Sequence, residues 1–439
     1  MKRYWIFFVL PVIFITGLSA SCSKRADGGT GMSQIPDSTS DRDAGIPALT
    51  ITFDPIVEFH GEAFPVKILA LAAANTAWDG SPRMSNSGDY IGDCFGDFGI
   101  SLTISGSHTG DIPVRVEIEG DSLIRKSTLD AAIQPNKQIE IFPRIVYDYS
   151  ALERLTQPVT ENVFFRVYMR NNLAQEKVEI VRFHSVNEVP LAEIDRRDDE
   201  SVVDHTWLFA AYVNEDDPLI DSILQEALQI GTVEKIGFGD SFSFGGYQDI
   251  DGDGDTSLEV DLQVLAVWSV FQRHNIKYSN ITTTSTGNQY LATQYVRTLQ
   301  EAFGNTQANC VDGTVLFASV LRKLGIEPFL IIIPGHMFLG YDTNAEGSSF
   351  KVLETTMLGS EDITKYTKDD SLFGKLKLGL GIGKTQSTVS RDSFLAASAA
   401  AEATWEEVQD KIFDETEDAY QIIPIAALRA MGVMPIKRY

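Results

Sequence analysis

Cysteine is nearly absent from this chain, with three in 439 residues, at positions 22, 94 and 310. So few thiols exclude a disulfide scaffold, and nowhere do Cys and His residues fall at zinc-ligand spacing. Histidine is sparse as well, with six in all, so each one is worth placing. A basic excess is also missing. Lys and Arg number 36 against 61 Asp and Glu, a formal net charge of −25. Such a chain has nothing with which to displace counterions from phosphates, which argues against a nucleic-acid partner. The acidity instead serves solubility in a cation-containing exterior. Apolar residues make up 44% and charged residues 22%, ordinary values for globular protein, and the length suffices for two or three domains with proper cores.

The longest apolar stretch opens the chain, in "MKRYWIFFVLPVIFITGLSASC". Lys2 and Arg3 form a positive head, and the run from Trp5 to Ile15 is too short for an ordinary membrane span. Small residues Ser19, Ala20 and Ser21 then lead to Cys22. The segment resembles a bacterial lipoprotein signal spanning 1–21, with Leu18 one position early for a strict lipobox. The resemblance implies a lipid on Cys22 and a location in the cell envelope. The alternative is a plain secretory signal with an incidental cysteine. Residues 22–47 are rich in Ser, Asp, Gly and Thr and read as a flexible tether.

Between 48 and 191 the pattern turns to short apolar runs separated by Gly, Asn, Asp and Pro. "LTITFDPIVEF", "FPVKILALAA", "GISLTISG", "IPVRVEIEG", "QIEIFPRIVYDY", "NVFFRVYMRN" and "KVEIVRFHSV" predict about seven strands, an antiparallel sandwich of immunoglobulin-like size. No catalytic cluster stands out there. His60, His108 and His184 are scattered, and Cys94 in "GDCFGDFG" reads as structural.

The segment 204–439 reads as helices followed by strands, an α+β pattern. "DDPLIDSILQEALQIG" predicts a helix with Pro218 in its first turn and Gly231 at its stop. "VDLQVLAVWSVFQRHNI" and "NQYLATQYVRTLQEAFG" predict two more helices. The runs "EPFLIIIPGHMFLGY" and "FKVLETTML" read as strands, and "RDSFLAASAAAEATWEEVQDKIF" as a helix. The tail "YQIIPIAALRAMGVMPI" closes the same domain.

The chemistry concentrates in "QANCVDGTVLFASVLRKLGI". Val311, Val315, Leu316, Val320, Leu321 and Leu324 lie at helical spacing, and Gly325 ends the run. Cys310 therefore heads an amphipathic helix, where the dipole and free N–H groups favour thiolate and an oxyanion. Asp312 falls in the first turn, a capping position. A nucleophile needs a base, and His336 follows beside Pro334 and Gly335. The base needs an acceptor for its ring, and Glu354 stands on the next apolar run, joined through "DTNAEGSS". Gln307, three residues before Cys310, is a candidate oxyanion donor through its side-chain amide. The bland alternative is a core cysteine, a core histidine and an edge glutamate that share no function.

A cysteine at a helix start, then a histidine and an acid on successive strands, resembles the transglutaminase-like superfamily, a circularly permuted relative of papain-type enzymes. "NCVDGTVLFASVLRKLGI", "PGHMFLGY" and "LETTML" carry the likeness, which covers about Asp204 to Pro435 and is similar to bacterial domains that follow an immunoglobulin-like domain. The resemblance implies that Cys310 is nucleophile, His336 base and Glu354 orienting acid, acting on protein or peptide amides with no required cofactor. Where the family usually has Asp this chain has Glu354, and Met337-Phe338 replaces the common aromatic after the histidine. Hydrolysis, crosslinking and a non-catalytic scaffold all remain open within such a family.

Two further motifs stand apart. In "QDIDGDGDTSLEVD", Asp249, Asp251, Asp253 and Gly254 match the first half of an EF-hand loop, but the twelfth position is Val260 and Glu259 falls one residue early. Weak calcium binding through Asp249, Asp251, Asp253, Asp255 and Glu259 is one reading, a solvated acidic turn the other. "GLGIGKT" near Lys384 fails as a phosphate loop, because Leu378 occupies the place of its first glycine. The expected whole is a lipid-anchored envelope protein, with a β-sandwich ahead of a transglutaminase-like α+β domain.

Overall fold

The computed structural model describes residues 49–195, 201–236, 242–280, 287–359 and 386–437. The signal segment, Cys22, the tether and the glycine-rich stretch around Lys384 lie outside them. No described helix is long and apolar enough to cross a membrane. The architecture is mixed, with several sheets, and fits a two-domain α/β protein.

Two five-stranded sheets make the first half. One sets Thr50–Val57, Phe98–Ser105, Gln138–Phe142, Tyr90–Asp93 and Met84–Asn86 side by side. The other sets Glu62–Ala63, Asn172–Phe183, Val159–Met169, Ile112–Gly120 and Ser127–Ile133. Alternation decides what faces inward: Phe98, Ile100, Leu102 and Ile104 are buried on one sheet, and Ile112, Val114, Val116 and Ile118 on the other. Phe98 stacks on Phe183 across the gap, with ring centroids 6.1 Å apart. Ser127–Ile133 and the strands at 84–93 escaped the sequence reading, because their apolar residues are few. The expected strand in "FPVKILALAA" is instead a helix, Pro65–Ala70. Apart from Lys67 its short run is apolar and carries no periodicity to separate strand from helix, and Pro65 opens a helical turn.

The second half is built round a four-stranded antiparallel sheet, in which Phe350–Leu353, His336–Asp342, Pro328–Ile333 and Gln421–Pro424 are successive neighbours. Both faces are covered, which is why "FLIII" is apolar without alternation. Leu330, Leu339, Tyr341 and Leu353 join the main core with Val315 and Leu316 of the helix Cys310–Lys323. Phe329, Ile331, Phe338, Val352 and Ile422 form a second cluster with Ala401, Val408 and Ile412 of the long helix Gln386–Ile412. The sheet is thus held between the cysteine helix and the long helix.

Two further helices depart from expectation. Residues 288–304 do not form one helix: Leu291–Tyr295 is a strand paired with Glu188–Asp195, and only Leu299–Gly304 is helical. Thr298 and Glu301 form a reciprocal capping box that fixes the helix start ten residues late. The helix Pro218–Val233 runs past Gly231, whose added Cβ would meet the Phe242 ring at 2.2 Å. Close packing, and not helix termination, accounts for that glycine.

The halves share hydrogen bonds as well as core. Tyr212 Oη donates to Val186 O at 2.6 Å, and Asn187 Nδ2 donates to Val296 O at 2.9 Å.

Candidate active site

The helix that carries Cys310 begins on a well-made cap. Asn309 Oδ1 accepts from Asp312 N at 2.8 Å, and Asp312 Oδ2 accepts from Asn309 N at 3.0 Å. This reciprocal box satisfies two donors that a helix start would otherwise leave bare. Asp312 is fully buried, so its charge needs a partner. Arg297 supplies one, Nη1 donating to Oδ2 at 2.6 Å and the Arg297 backbone N–H to Oδ1 at 2.8 Å. Burial pushes the Asp312 carboxyl up, while the N–H groups of Asn309 and Arg297 pull it the other way. The capping role expected of Asp312 is thus shared, with Asn309 as the cap residue itself.

His336 opens the return strand of a hairpin turned by Pro334-Gly335, where Gly335 has φ +74°. A positive φ after proline suits Pro-Gly and few other pairs. The turn leaves His336 opposite Ile333, at the end of the sheet. The next strand pairs Leu353 with Leu339, so Glu354 emerges one residue beyond it and reaches forward along the neighbouring strand to the histidine. Glu354 Oε2 accepts from His336 Nε2 at 2.6 Å. Its other oxygen, Oε1, accepts from Thr356 N at 3.0 Å and Thr356 Oγ1 at 2.6 Å, as the cap of the short turn Thr355–Met357. The Glu354 backbone N–H also binds Ala397 O of the long helix, at 3.3 Å. The acid is therefore fixed from three sides.

Cys310 is half-buried, a free thiol at the first helical position. Its hydrogen bond to His336 is the largest cause raising that histidine, the bond to Glu354 the next, and burial opposes both; together they push His336 up to about 10. With Nε2 engaged by Glu354, Nδ1 is the nitrogen left for Cys310. Such an imidazole carries its proton throughout the neutral range.

What sets the distance between helix and sheet is a contact absent from the sequence reading. Gly313 sits against Thr355, and a Cβ added there would lie 3.0 Å from Thr355 Oγ1. One residue on, Thr314 Oγ1 lies 3.2 Å from the same hydroxyl and donates to Cys310 O at 2.7 Å. The residue after Glu354 is thereby bonded to the first turn of the cysteine helix.

Tyr278 was also missed. The two-residue strand Lys277–Tyr278 runs parallel to Gln307–Ala308, and so lies against the residues leading into Cys310. Burial, then the negative charges of Cys310 and Glu354, raise its phenol. Only the pairing of two very short strands puts it there, and no local pattern announces that pairing. Gln307 is exposed, and among the described residues its side chain has no hydrogen-bond partner. Cys94 lies apart, buried in the first half, and forms no disulfide with Cys310.

The acidic loop forms in part as its spacing predicts. Asp249, Asp251 and Asp253 each bring a carboxylate oxygen within 4.8 Å of the others, while Glu259 is buried on the following helix, Ser257–Arg273. Asp255 belongs to the same loop, and its Oδ1 accepts from Ser257 N at 3.0 Å.

A half-buried thiol near enough to raise the imidazole, and a carboxylate bonded to that imidazole, are the parts of a proton-transfer relay. Comparison of the chain with family models, curated proteins and solved structures returned no match.

Proposed function

We propose that the protein is a thiol-dependent acyl-transfer enzyme of transglutaminase-like type, with an immunoglobulin-like sandwich ahead of the catalytic domain. The observation that carries this is the His336–Glu354 hydrogen bond, on a histidine that the nearby Cys310 also raises. His336 holds the proton that Cys310 has given up, and the sulfur attacks the carbonyl carbon of a protein or peptide amide. The tetrahedral intermediate collapses, the C–N bond breaks, and His336 returns the proton to the departing amine. Water or a second amine then attacks the thioester and releases Cys310 for another cycle. Water gives hydrolysis or deamidation, and an amine gives a crosslink. Backbone N–H groups at the head of the cysteine helix supply oxyanion donors, with Gln307 as a second candidate. Glu354 in place of a shorter acid suits this site, because it starts two positions short of His336 in the register and must reach forward to it.

The N-terminal sequence supports the location: a lipid on Cys22, and residues 23–47 as a tether holding the folded part off a membrane of the cell envelope. The proposal is tested with iodoacetamide and an amide substrate. Cys310 alkylates much faster than Cys94 at neutral pH, and a glutamine-containing peptide releases ammonia or takes up a primary amine. Alkylation of Cys310 no faster than a model thiol, with no change on Cys310→Ala in any turnover, assigns the domain to the non-catalytic scaffolds instead.

A further inference from the structure

We propose that Lys67 and Asp97 become joined by an isopeptide bond inside the first half of the chain, with Glu58 as the proton carrier. Three segments bring the groups together. The strand Thr50–Val57 pairs Val57 with Phe98, so the register sets Glu58 opposite Asp97. The Glu58 backbone N–H donates to Asp97 O at 3.0 Å and fixes that alignment. Lys67 comes from the helix Pro65–Ala70. Its Nζ donates to Asp97 Oδ1 at 2.9 Å and also to Glu58 Oε2. One amine is thus held against two carboxylates, one to be acylated and one to move protons.

Burial makes the charged state costly. The Lys67 side chain is only 7% exposed and that of Asp97 10%. The ring of Phe59, itself fully buried, lies 5.4 Å from Nζ. Two opposite charges withdrawn from water recover only part of their hydration by pairing. Burial raises the Asp97 carboxyl, and the charge of Glu58 adds to this against the pull of Lys67. Burial lowers the Lys67 ammonium, but the charges of Asp97 and Glu58 outweigh it and leave it raised. The resting pair is therefore ionic. Passing one proton from Nζ to Oδ1 makes both groups neutral, and condensation makes that neutrality permanent. Of the three charges only that of Glu58 remains, on the most exposed side chain of the set.

The reaction balances as amine plus carboxylic acid giving amide plus water. The neutral Nζ attacks Asp97 Cγ, the C–N bond forms, and the carbonyl electron pair moves onto Oδ2. Tyr147 Oη already donates to Oδ2 at 3.0 Å, where that negative charge develops. Glu58 takes a proton from Nζ and hands it to the Oδ1 hydroxyl, which leaves as water while Oδ2 re-forms the carbonyl. A cavity of about 20 Å³, room for one water, is lined by Lys67, Asp97, Arg83, Asp93 and Tyr147 and receives it. Holding amine and acid in contact is equivalent to a concentration on the order of 10⁵–10⁸ M, which free amines and acids never reach. No thiol takes part, so this bond is independent of the chemistry proposed at Cys310.

The test is mass spectrometry of the purified full chain, denatured and digested with trypsin and chymotrypsin together. Trp78, Arg83, Tyr90 and Phe95 offer cleavage sites between the two residues. Once these are cut, the peptides bearing Lys67 and Asp97 stay together only through their side chains. They should appear as one species at the sum of their masses less one water, with Lys67 resistant to trypsin. Lys67→Arg and Asp97→Ala should give no joined species. Glu58→Gln should lower the joined fraction by about tenfold or more in freshly made protein. Where a variant does not fold, the wild-type digest decides alone. Separate peptides, with trypsin cutting after Lys67 in the wild type, overturn the proposal and leave the three groups as a buried ion-pair network. Full joining in Glu58→Gln overturns the part given to Glu58.

Discussion

His336 Nε2 and Glu354 Oε2 stand 2.6 Å apart, although Glu354 belongs to no strand. The sheet register alone, if continued, would set Thr356 and not Glu354 opposite the histidine. The turn Thr355–Met357, bonded to the head of the cysteine helix, ends the strand there and Glu354, as its cap, meets the ring. The pair is a product of three elements, and changes in any of them should be readable at the ring.

Glu354→Gln keeps the side-chain length but removes the charge. The His336 ring, raised to about 10 by Cys310 and Glu354, should fall toward its ordinary value, as followed by NMR titration of its ring protons. Turnover should drop by about 10²–10⁴-fold, the usual contribution of positioned proton transfer. An unmoved His336 titration in Glu354→Gln would dismiss the carboxylate as its support.

The same shift fixes a pH dependence. His336 is raised in the fold above its unfolded value of 6.5, so its protonated form favours the folded state. The stability it contributes is fully present below about 6.5 and is lost as pH rises through about 10. Urea melts of the wild type and His336→Ala should therefore differ most near pH 6 and converge above about pH 10. A gap that widens with rising pH contradicts the assignment.

The cysteine helix was legible because burial wrote a full stripe from Val311 to Leu324, whereas "EPFLIIIPGHMFLGY" reads as one run that the structure folds at Pro334-Gly335 into two paired strands. Cys310, His336 and Glu354 follow from those elements and their order. Other features lie in contacts that leave no local trace. Asn309 outranks Asp312 as the cap only because of where the backbone turns, and Tyr278 depends on a pairing of two residues with two. "FPVKILALAA" misled because an apolar run buried all round has no period to read. "NQYLATQYVRTLQEAFG" misled because its helical second half, capped by Thr298, lent its pattern to a strand.

Gly313→Ala probes the spacing between helix and sheet. In an exposed helix this change would stabilise by roughly 1 kcal/mol. Here the new methyl lies 3.0 Å from Thr355 Oγ1, a buried hydroxyl already engaged with Thr314. Thr355 must move, and Glu354 moves with it. The melting temperature should change little while turnover falls about tenfold or more, since small misplacements of a catalytic group are expensive. Equal losses in both, or in neither, would count against Thr355 as the spacer.

Tyr278→Phe removes a hydroxyl whose titration responds to Cys310 and Glu354. It lies on the open side of the site, with the residue 47% exposed, so its loss should not disturb folding. The substitution should raise KM for a peptide substrate several-fold and leave the iodoacetamide rate of Cys310 nearly unchanged. A large fall in that alkylation rate would instead tie the phenol to the thiol's own chemistry.

Asp312→Ala is the severest change predicted at this site. It removes one half of the capping box and leaves Arg297, whose side chain is 11% exposed, without its buried partner. Losing a cap costs about 1 kcal/mol. Breaking a buried ion pair from one side costs about 3–5 kcal/mol, because the remaining charge stays desolvated. A fall of about 4 kcal/mol in urea stability is expected, with fraying of the first helical turn. The double variant Asp312→Ala, Arg297→Met should recover much of that stability, because no bare charge remains buried. It should not recover the alkylation rate of Cys310, since the cap that orders the head of its helix is still missing. Recovery of both would show that the pair serves the fold alone, and recovery of neither would show that Asp312 is held by something other than Arg297.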